Sequence, residues 1–167
     1  RHNTGIYVTD IPRDPFTGVA SIDHKQAEDL GYMKLDLLNV SLYTQIKNRQ
    51  HLNDLMTQEP LWDLLQDPEF CSQLIHVGAH HDLLMRCPEP VDSIPRMAMF
   101  LALIRPGKRH LIETCKKSGF DSIKDEIWIS SEDSYSFKSS HAHSYALLVK
   151  VHACLLVEQT MLDHAAV

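Results

Sequence analysis

The chain has 167 residues, 44% of them hydrophobic, and a formal net charge of −6 with histidine neutral. That length and apolar content exclude a disordered chain and suffice for a domain with a real core. The acidic balance excludes a strongly basic nucleic-acid binder but leaves room for a local basic groove. Arg1 stands first, and a strand-like run, Gly5-Ile6-Tyr7-Val8, follows at once. This reads as a segment of a longer product or a partial reading frame.

Ile6 to Thr9 is expected to form a short strand. Asp10 to Gly18 holds two prolines and a glycine and reads as a loop. Asp23 to Leu30 is polar and suits a turn or short helix. In the next run Met33, Leu35 and Leu37 alternate with Lys34 and Asp36. A period of two predicts a strand with Lys34 and Asp36 on one face. Such a pair can hold a metal ion and a phosphate, or serve as a structural ion pair.

Asn39 or Ser41 can cap a helix reaching about Met56. Glu59-Pro60 opens a second helix with Leu61, Trp62, Leu64 and Leu65 on its apolar face, and Pro68 ends it or opens another. Phe70 to Ile75 is a short apolar piece broken by Gly78, and His80 to Met85 is helical again. Cys87-Pro88-Glu89-Pro90 reads as a rigid linker. Ser93 caps the next helix, Pro95 lies in its first turn, and Met97 to Ile104 is apolar on nearly every side, which predicts burial.

Pro106-Gly107 stops that helix. Thr114 to Asp133 is polar, with Trp128 the expected anchor. Ser139 or Ser140 caps the last helix, which carries Tyr145, Ala146, Val149, Ala153 and Leu156. Its most apolar run, Tyr145 to Val157, is interrupted by Lys150 and His152. It falls short of the ~20 residues that span a bilayer, so a buried helix and no membrane partner are expected. The predicted fold class is α+β and mainly helical. A small sheet is expected in residues 1–58 and packed helices in 59–167.

Cys71, Cys87, Cys115 and Cys154 are widely spaced without a CxxC. This suits reduced thiols in a cytoplasmic protein better than a disulfide framework. His76 and His80 are four apart and would share a helical face, a spacing that can hold zinc, although Gly78 lies between them. His2, His24, His51, His110, His152 and His164 read as surface or packing residues.

Two further blocks carry possible chemistry. Arg105-Pro106-Gly107-Lys108-Arg109-His110 puts fixed positive charge directly after a buried helix. It suits phosphate contact, or a solvated cluster that satisfies the helix C-terminus. Phe137-Lys138-Ser139-Ser140-His141 places a lysine, hydroxyls and a histidine at a helix start. It suits an anion, or an ordinary serine cap. P-loop, Rossmann, GxSxG and HExxH patterns are absent.

Taken in order, these blocks resemble the C-family replicative DNA polymerases, whose type member is the alpha subunit of bacterial DNA polymerase III. Arg1 to Val8 is similar to the family's His-Ala-x-Gly-Val-Val-Ile strand. Gly31 to Leu38 is similar to Gly-Leu-Val-Lys-Phe-Asp-Phe-Leu, and Asp82-Leu83-Leu84-Met85-Arg86 to Asp-Leu-Leu-x-Arg. Met97 to Gly107 is similar to Val-Ala-Leu-x-Ala-Leu-x-Arg-Pro-Gly, and Ser136 to Ala146 to Gly-Phe-Asn-Lys-Ser-His-x-x-x-Tyr-Ala.

The resemblance implies a palm-and-fingers segment of a compact, phage-type polymerase that adds deoxynucleotides to a primer 3′ end with two Mg²⁺ ions. It implies Asp36 as catalytic metal ligand. Lys34, Arg105 and Lys138 become contacts to phosphates of nucleotide or DNA, with Ser140 and His141 shaping the nucleotide side. Primer-template DNA and deoxynucleoside triphosphates become the partners, with a sliding clamp possible in a parent protein of a bacterial or phage-infected cytoplasm.

The chain departs from the family in four ways. The Pro-Asp-x-Asp-x-Asp motif is missing and would lie before Arg1, and Asp10 and Asp14 lack its spacing. Phe-Gln-Leu-Glu-Ser is missing, with His76 to Ala79 in its place. The Arg-Arg-Ala-Met-Gly-Lys helix is missing from the short stretch between Gly107 and Phe137. Lys138 stands one residue away from the family's lysine. The isolated chain is therefore expected to lack polymerase activity, and a non-catalytic nucleic-acid-binding or interaction module of the same fold is the alternative.

Overall fold

The computed structural model describes residues 5–37, 40–130 and 135–165; the side chains of Asp36 and of residues 163–165 lie outside that description. Among the described residues the chain is α+β and mainly helical, with one small antiparallel sheet and seven α-helices. It divides into two compact units, 1–45 and 46–167. The polar helix that follows residue 46 therefore belongs with the helices, where the sequence reading grouped it with the strands.

In the first unit, β1 (Gly5–Tyr7) pairs antiparallel with β2 (Lys34–Asp36). The register sets Tyr7 opposite Lys34 and Ile6 opposite Leu35. Between them the predicted loop is a built turn. The Asp14 carboxylate accepts hydrogen bonds from the Phe16 and Thr17 N–H groups and the Thr17 hydroxyl. Those bonds, from the Thr17 amide first, hold Asp14 below the usual carboxylate range. Gly18, at φ +65°, closes the turn where a side chain would be strained. Asp23 caps α1 (His24–Asp29), accepting from the Lys25 and Gln26 amides.

The second unit begins with α2 (Arg49–Thr57), which is shorter than predicted. Asn48 caps it by accepting from the His51 amide, while Ser41–Gln45 forms a separate 3₁₀ turn. The expected cap Asn39 lies outside the described residues. Pro60 opens no α-helix: Trp62–Gln66 is a 3₁₀ turn, and Asp67 caps α3 (Pro68–Gln73), with Pro68 in its first turn. His76 follows at φ +65° and ends the helical path. A 3₁₀ turn at Gly78–His80 leads into α4 (His81–Arg86). His76 and His80 therefore do not share a helical face: α3 ends at Gln73 with Leu74 extended, His76 is left-handed, and His80 lies in the following 3₁₀ turn.

Helix α5 (Ile94–Leu103) buries Met97, Ala98, Phe100, Leu101, Ala102 and Leu103, as its unbroken apolar run predicts. It packs along α7 (Ser139–Ala165), which presents the small residues Ala142, Ala146 and Ala153 with Val149. Small residues let two helix backbones approach closely. Between them run a 3₁₀ turn at Pro106–Leu111, α6 (Ile112–Ser118) and a turn at Phe120–Ser122. The anchors of the polar stretch after α6 are Phe120, Ile123 and Ile127; Trp128 is only half-buried. Ser139 and Ser140 lie inside α7. Lys138 holds the cap position, its carbonyl accepting the Ala142 amide.

By length and apolar content Ser139–Leu162 is long enough to cross a bilayer. The same stretch packs in the core of this unit, and Lys150, His152 and Glu158 on it are bonded within the unit. The buried Lys150 donates to the Met56 carbonyl at 3.0 Å, tying α7 to the end of α2. His51 accepts the Lys47 amide at Nδ1, so its Nε2 carries the hydrogen donated to Glu158 at 2.9 Å. His152 accepts the Ile75 amide at Nδ1 at 3.0 Å, which requires a neutral ring.

Burial pushes the His152 imidazole below its ordinary value, and burial with the Arg105 charge does the same to His76. Below about pH 6.5 the unfolded chain takes up protons that these rings resist. Stability is therefore full above that pH and is lost as pH falls toward the folded values. Urea unfolding should show a lower midpoint at about pH 5.5 than at about pH 7.5, above the range where carboxylates titrate. An unchanged midpoint would contradict neutral buried histidines.

Candidate functional site

The first unit holds an open cavity of about 830 Å³. Its wall is built from β1, the Asp14 turn, the start of α1 and Lys34 of β2. Among the described residues, Arg13, His24 and Lys34 line it. Among the described residues the one carboxylate that lines it, Asp23, is committed to capping α1. The amide of Gln26 leads the bonds that hold it below the usual carboxylate range. Arg13 has an exposed, long contact to Asp10 at 3.5 Å. Tyr7 adds an aromatic face and packs edge-on to Tyr32 at 6.4 Å. The site thus offers positive charge, an aromatic ring and backbone at Gly5 and Gly18, a composition suited to an anionic ligand with a planar group.

Lys34 is the one predicted site residue in that wall. Its strand places Asp36 two residues on, opposite Gly5, but the Asp36 side chain lies outside the described part. Arg13 and His24 were not singled out from sequence. Arg13 stands in a loop between a proline and an aspartate, where no periodicity marks which way a side chain faces.

The remaining predicted residues, Arg105, Lys138, Ser140 and His141, belong to the second unit. Here two sequence blocks converge. The Arg105 guanidinium lies 4.0 Å from the centre of the Phe137 ring, a cation–π contact. Phe137 stacks on Tyr145 at 5.3 Å, and His76 meets Tyr145 edge-on at 4.7 Å. The Gly107 amide donates to the Tyr135 carbonyl at 3.0 Å, joining the Arg-Pro-Gly turn to the segment before α7. Burial lowers the Arg105 pKa from its ordinary value while Tyr135 and Tyr145 oppose the shift, and the group stays cationic. Arg105 Nε and His76 Nε2 are buried without a hydrogen-bond partner among the described residues.

The rest of the basic block is not uniformly presented to solvent. Lys108 is buried and donates to the Glu126 carbonyl at 2.7 Å, and His110 meets the Glu126 carboxylate at 3.1 Å. Lys108 is thus a structural tie rather than a phosphate contact. Arg109 is exposed, and its charge with that of Arg105 adds to burial in lowering His80. At the start of α7, Lys138 and Ser140 are exposed and His141 is half-buried. The Ser140 carbonyl accepts from the Ser144 hydroxyl, and the Ser139 carbonyl from His143 Nδ1. Among the described residues no three His, Cys, Asp or Glu side chains gather as a metal site would require.

No protein-family model, no curated protein and no solved structure matches the chain.

Proposed function

We propose that the chain is a palm-and-fingers segment of a C-family DNA polymerase, in which the first unit binds the triphosphate of a deoxynucleotide. One observation carries this reading most directly. Lys34, the residue the resemblance assigns to nucleotide phosphate, lines a cavity together with two further basic groups, Arg13 and His24. Convergence of the Arg-Pro-Gly and Phe-Lys-Ser-Ser-His blocks on the Arg105–Phe137 contact also supports it.

In this reading Lys34 and Arg13 neutralise phosphate charge and Tyr7 meets the planar part of the ligand. In the second unit by itself, Lys138, Ser140 and His141 offer phosphate contacts of their own, and primer-template DNA is the second ligand. Magnesium in such a site supplies charge neutralisation and in-line positioning of the triphosphate. Asp36 would be one ligand. A pair of ions needs more carboxylates than this one, so the 167 residues by themselves are expected to bind without extending.

Equilibrium dialysis of the purified chain with a labelled deoxynucleoside triphosphate and Mg²⁺, run beside a primer-extension assay, tests this. Saturable nucleotide binding without extension is expected. Extension above a metal-free control would overturn the inactivity. Absence of nucleotide binding would remove the polymerase reading, and primer-template binding alone would then support the non-catalytic module, which the missing fingers motif favours.

A further inference from the structure

Two of the four cysteines, 28 residues apart in sequence, meet inside the second unit. Cys87 closes α4 and opens the Pro88-Glu89-Pro90 linker, and Cys115 sits in α6. Their sulfur atoms are 3.9 Å apart. A disulfide needs about 2.05 Å, so closure requires the sulfurs to move together by roughly 2 Å. Cys71 and Cys154 are also buried, with no thiol partner in contact among the described residues.

We propose that Cys87 and Cys115 form a redox-active dithiol that a hydroperoxide converts into a disulfide.

The two sulfurs are not equivalent. Cys87 keeps 9% of its surface exposed and Cys115 none, so Cys87 is the residue of the pair nearer to solvent. The hydrogen bond from Cys115 stabilises a thiolate at Cys87, and the Lys116 charge adds to this, against burial and Glu89; the net shift is downward. The same bond and burial push Cys115 up, so it keeps its proton until the second step.

In the first step the Cys87 thiolate attacks one peroxide oxygen. The O–O bond breaks, the leaving oxygen takes a proton and departs as alcohol or water, and Cys87 becomes a sulfenic acid. In the second step Cys115 attacks the Cys87 sulfur, the S–O bond breaks, and water leaves with the Cys115 proton. The two thiols lose two electrons and the hydroperoxide gains them.

The linker is already held in place for this. Glu89 accepts the Phe120 amide at 2.7 Å, pinning the residues after Cys87 against the end of α6. Gly119 at φ +80° leaves room for that carboxylate: a Cβ there would lie 2.7 Å from it. The loop closed by the disulfide contains α5 and the Arg105–Arg109 turn, so oxidation would tie both ends of the segment that presents these arginines.

The test treats folded wild-type chain with hydrogen peroxide, alkylates remaining thiols in denaturant, and maps peptides by mass spectrometry. A linked Cys87–Cys115 peptide pair is expected, with Cys71 and Cys154 alkylated. The urea midpoint should rise on oxidation and return with dithiothreitol, since a cross-link restricts the unfolded chain. Cys115→Ala should instead leave a sulfenic acid at Cys87 that dimedone traps. Four alkylated thiols after peroxide, or oxidation of Cys71 and Cys154 as fast as of the pair, would overturn the proposal.

Discussion

Replacing Lys34 with methionine should weaken deoxynucleoside triphosphate binding about tenfold to a hundredfold, the worth of one hydrogen bond between charged groups, about 1.5–3 kcal/mol. Methionine keeps an unbranched stem in the cavity wall and removes only the ammonium. Lys34 lies on a strand whose partner residue is Tyr7, so its position is set by backbone pairing and the loss reports charge rather than a shifted site. Wild-type binding should fall more steeply with added salt than that of the variant, because one screened attraction is gone. The side chain is half-exposed, so thermal stability should change by less than about 1 kcal/mol. Isothermal titration of both proteins at two salt concentrations is the measurement. Equal affinities would take Lys34 out of the site.

Phe100→Ala should destabilise the second unit by about 3–5 kcal/mol. Phe100 is fully buried in the middle of α5, with Met97, Leu101 and Leu103 equally enclosed. The core that α5 and α7 share includes Ala142, Ala146 and Ala153, whose short side chains cannot expand to fill the space a phenyl ring leaves. A domain of this size is stable by about 5–15 kcal/mol, so the variant should keep only part of its cooperative transition. Leu61→Ala serves as the control. Leu61 is 59% exposed, and its loss should stay within about 0.5 kcal/mol. A loss below about 1 kcal/mol for Phe100→Ala would contradict the packing of α5 on α7.

The buried helix α5 was legible because nothing polar interrupts Met97 to Ile104, and burial on all sides is the only way to hide such a run. The strand at Lys34 was legible from alternation alone. Helix boundaries in the polar stretches were not. Ser41 and Asn48 are both competent caps, and it is Asn48 that accepts the amide opening α2 while Ser41 starts a 3₁₀ turn. The second helix predicted at Pro60 dissolved into a 3₁₀ turn and the short α3, because Asp67-Pro68 is the stronger start signal.

The residues around the cavity were legible only in part. Lys34 declared itself through its strand, whereas Arg13 and His24 reach the same cavity from a turn and a helix start that carry no period. Lys108 misled because lysine next to arginine reads as a wet cluster, while its long stem here crosses the core edge to a backbone carbonyl. The spacing of His76 and His80 misled for a backbone reason. The helix that would have aligned them ends at Gln73, with Leu74 extended and His76 left-handed, before either histidine joins a helical turn in common. The Cys87–Cys115 contact joins the ends of a segment containing α5, and no local pattern announces it.

The most direct test of the nucleotide-binding claim is a two-dimensional NMR titration of the labelled chain with a Mg²⁺-bound deoxynucleoside triphosphate. The account predicts saturable shifts concentrated at Tyr7, Arg13, Gly18, His24 and Lys34, the residues that line the cavity of the first unit. Shifts absent at those residues, or spread evenly over the surface without saturation, would contradict it.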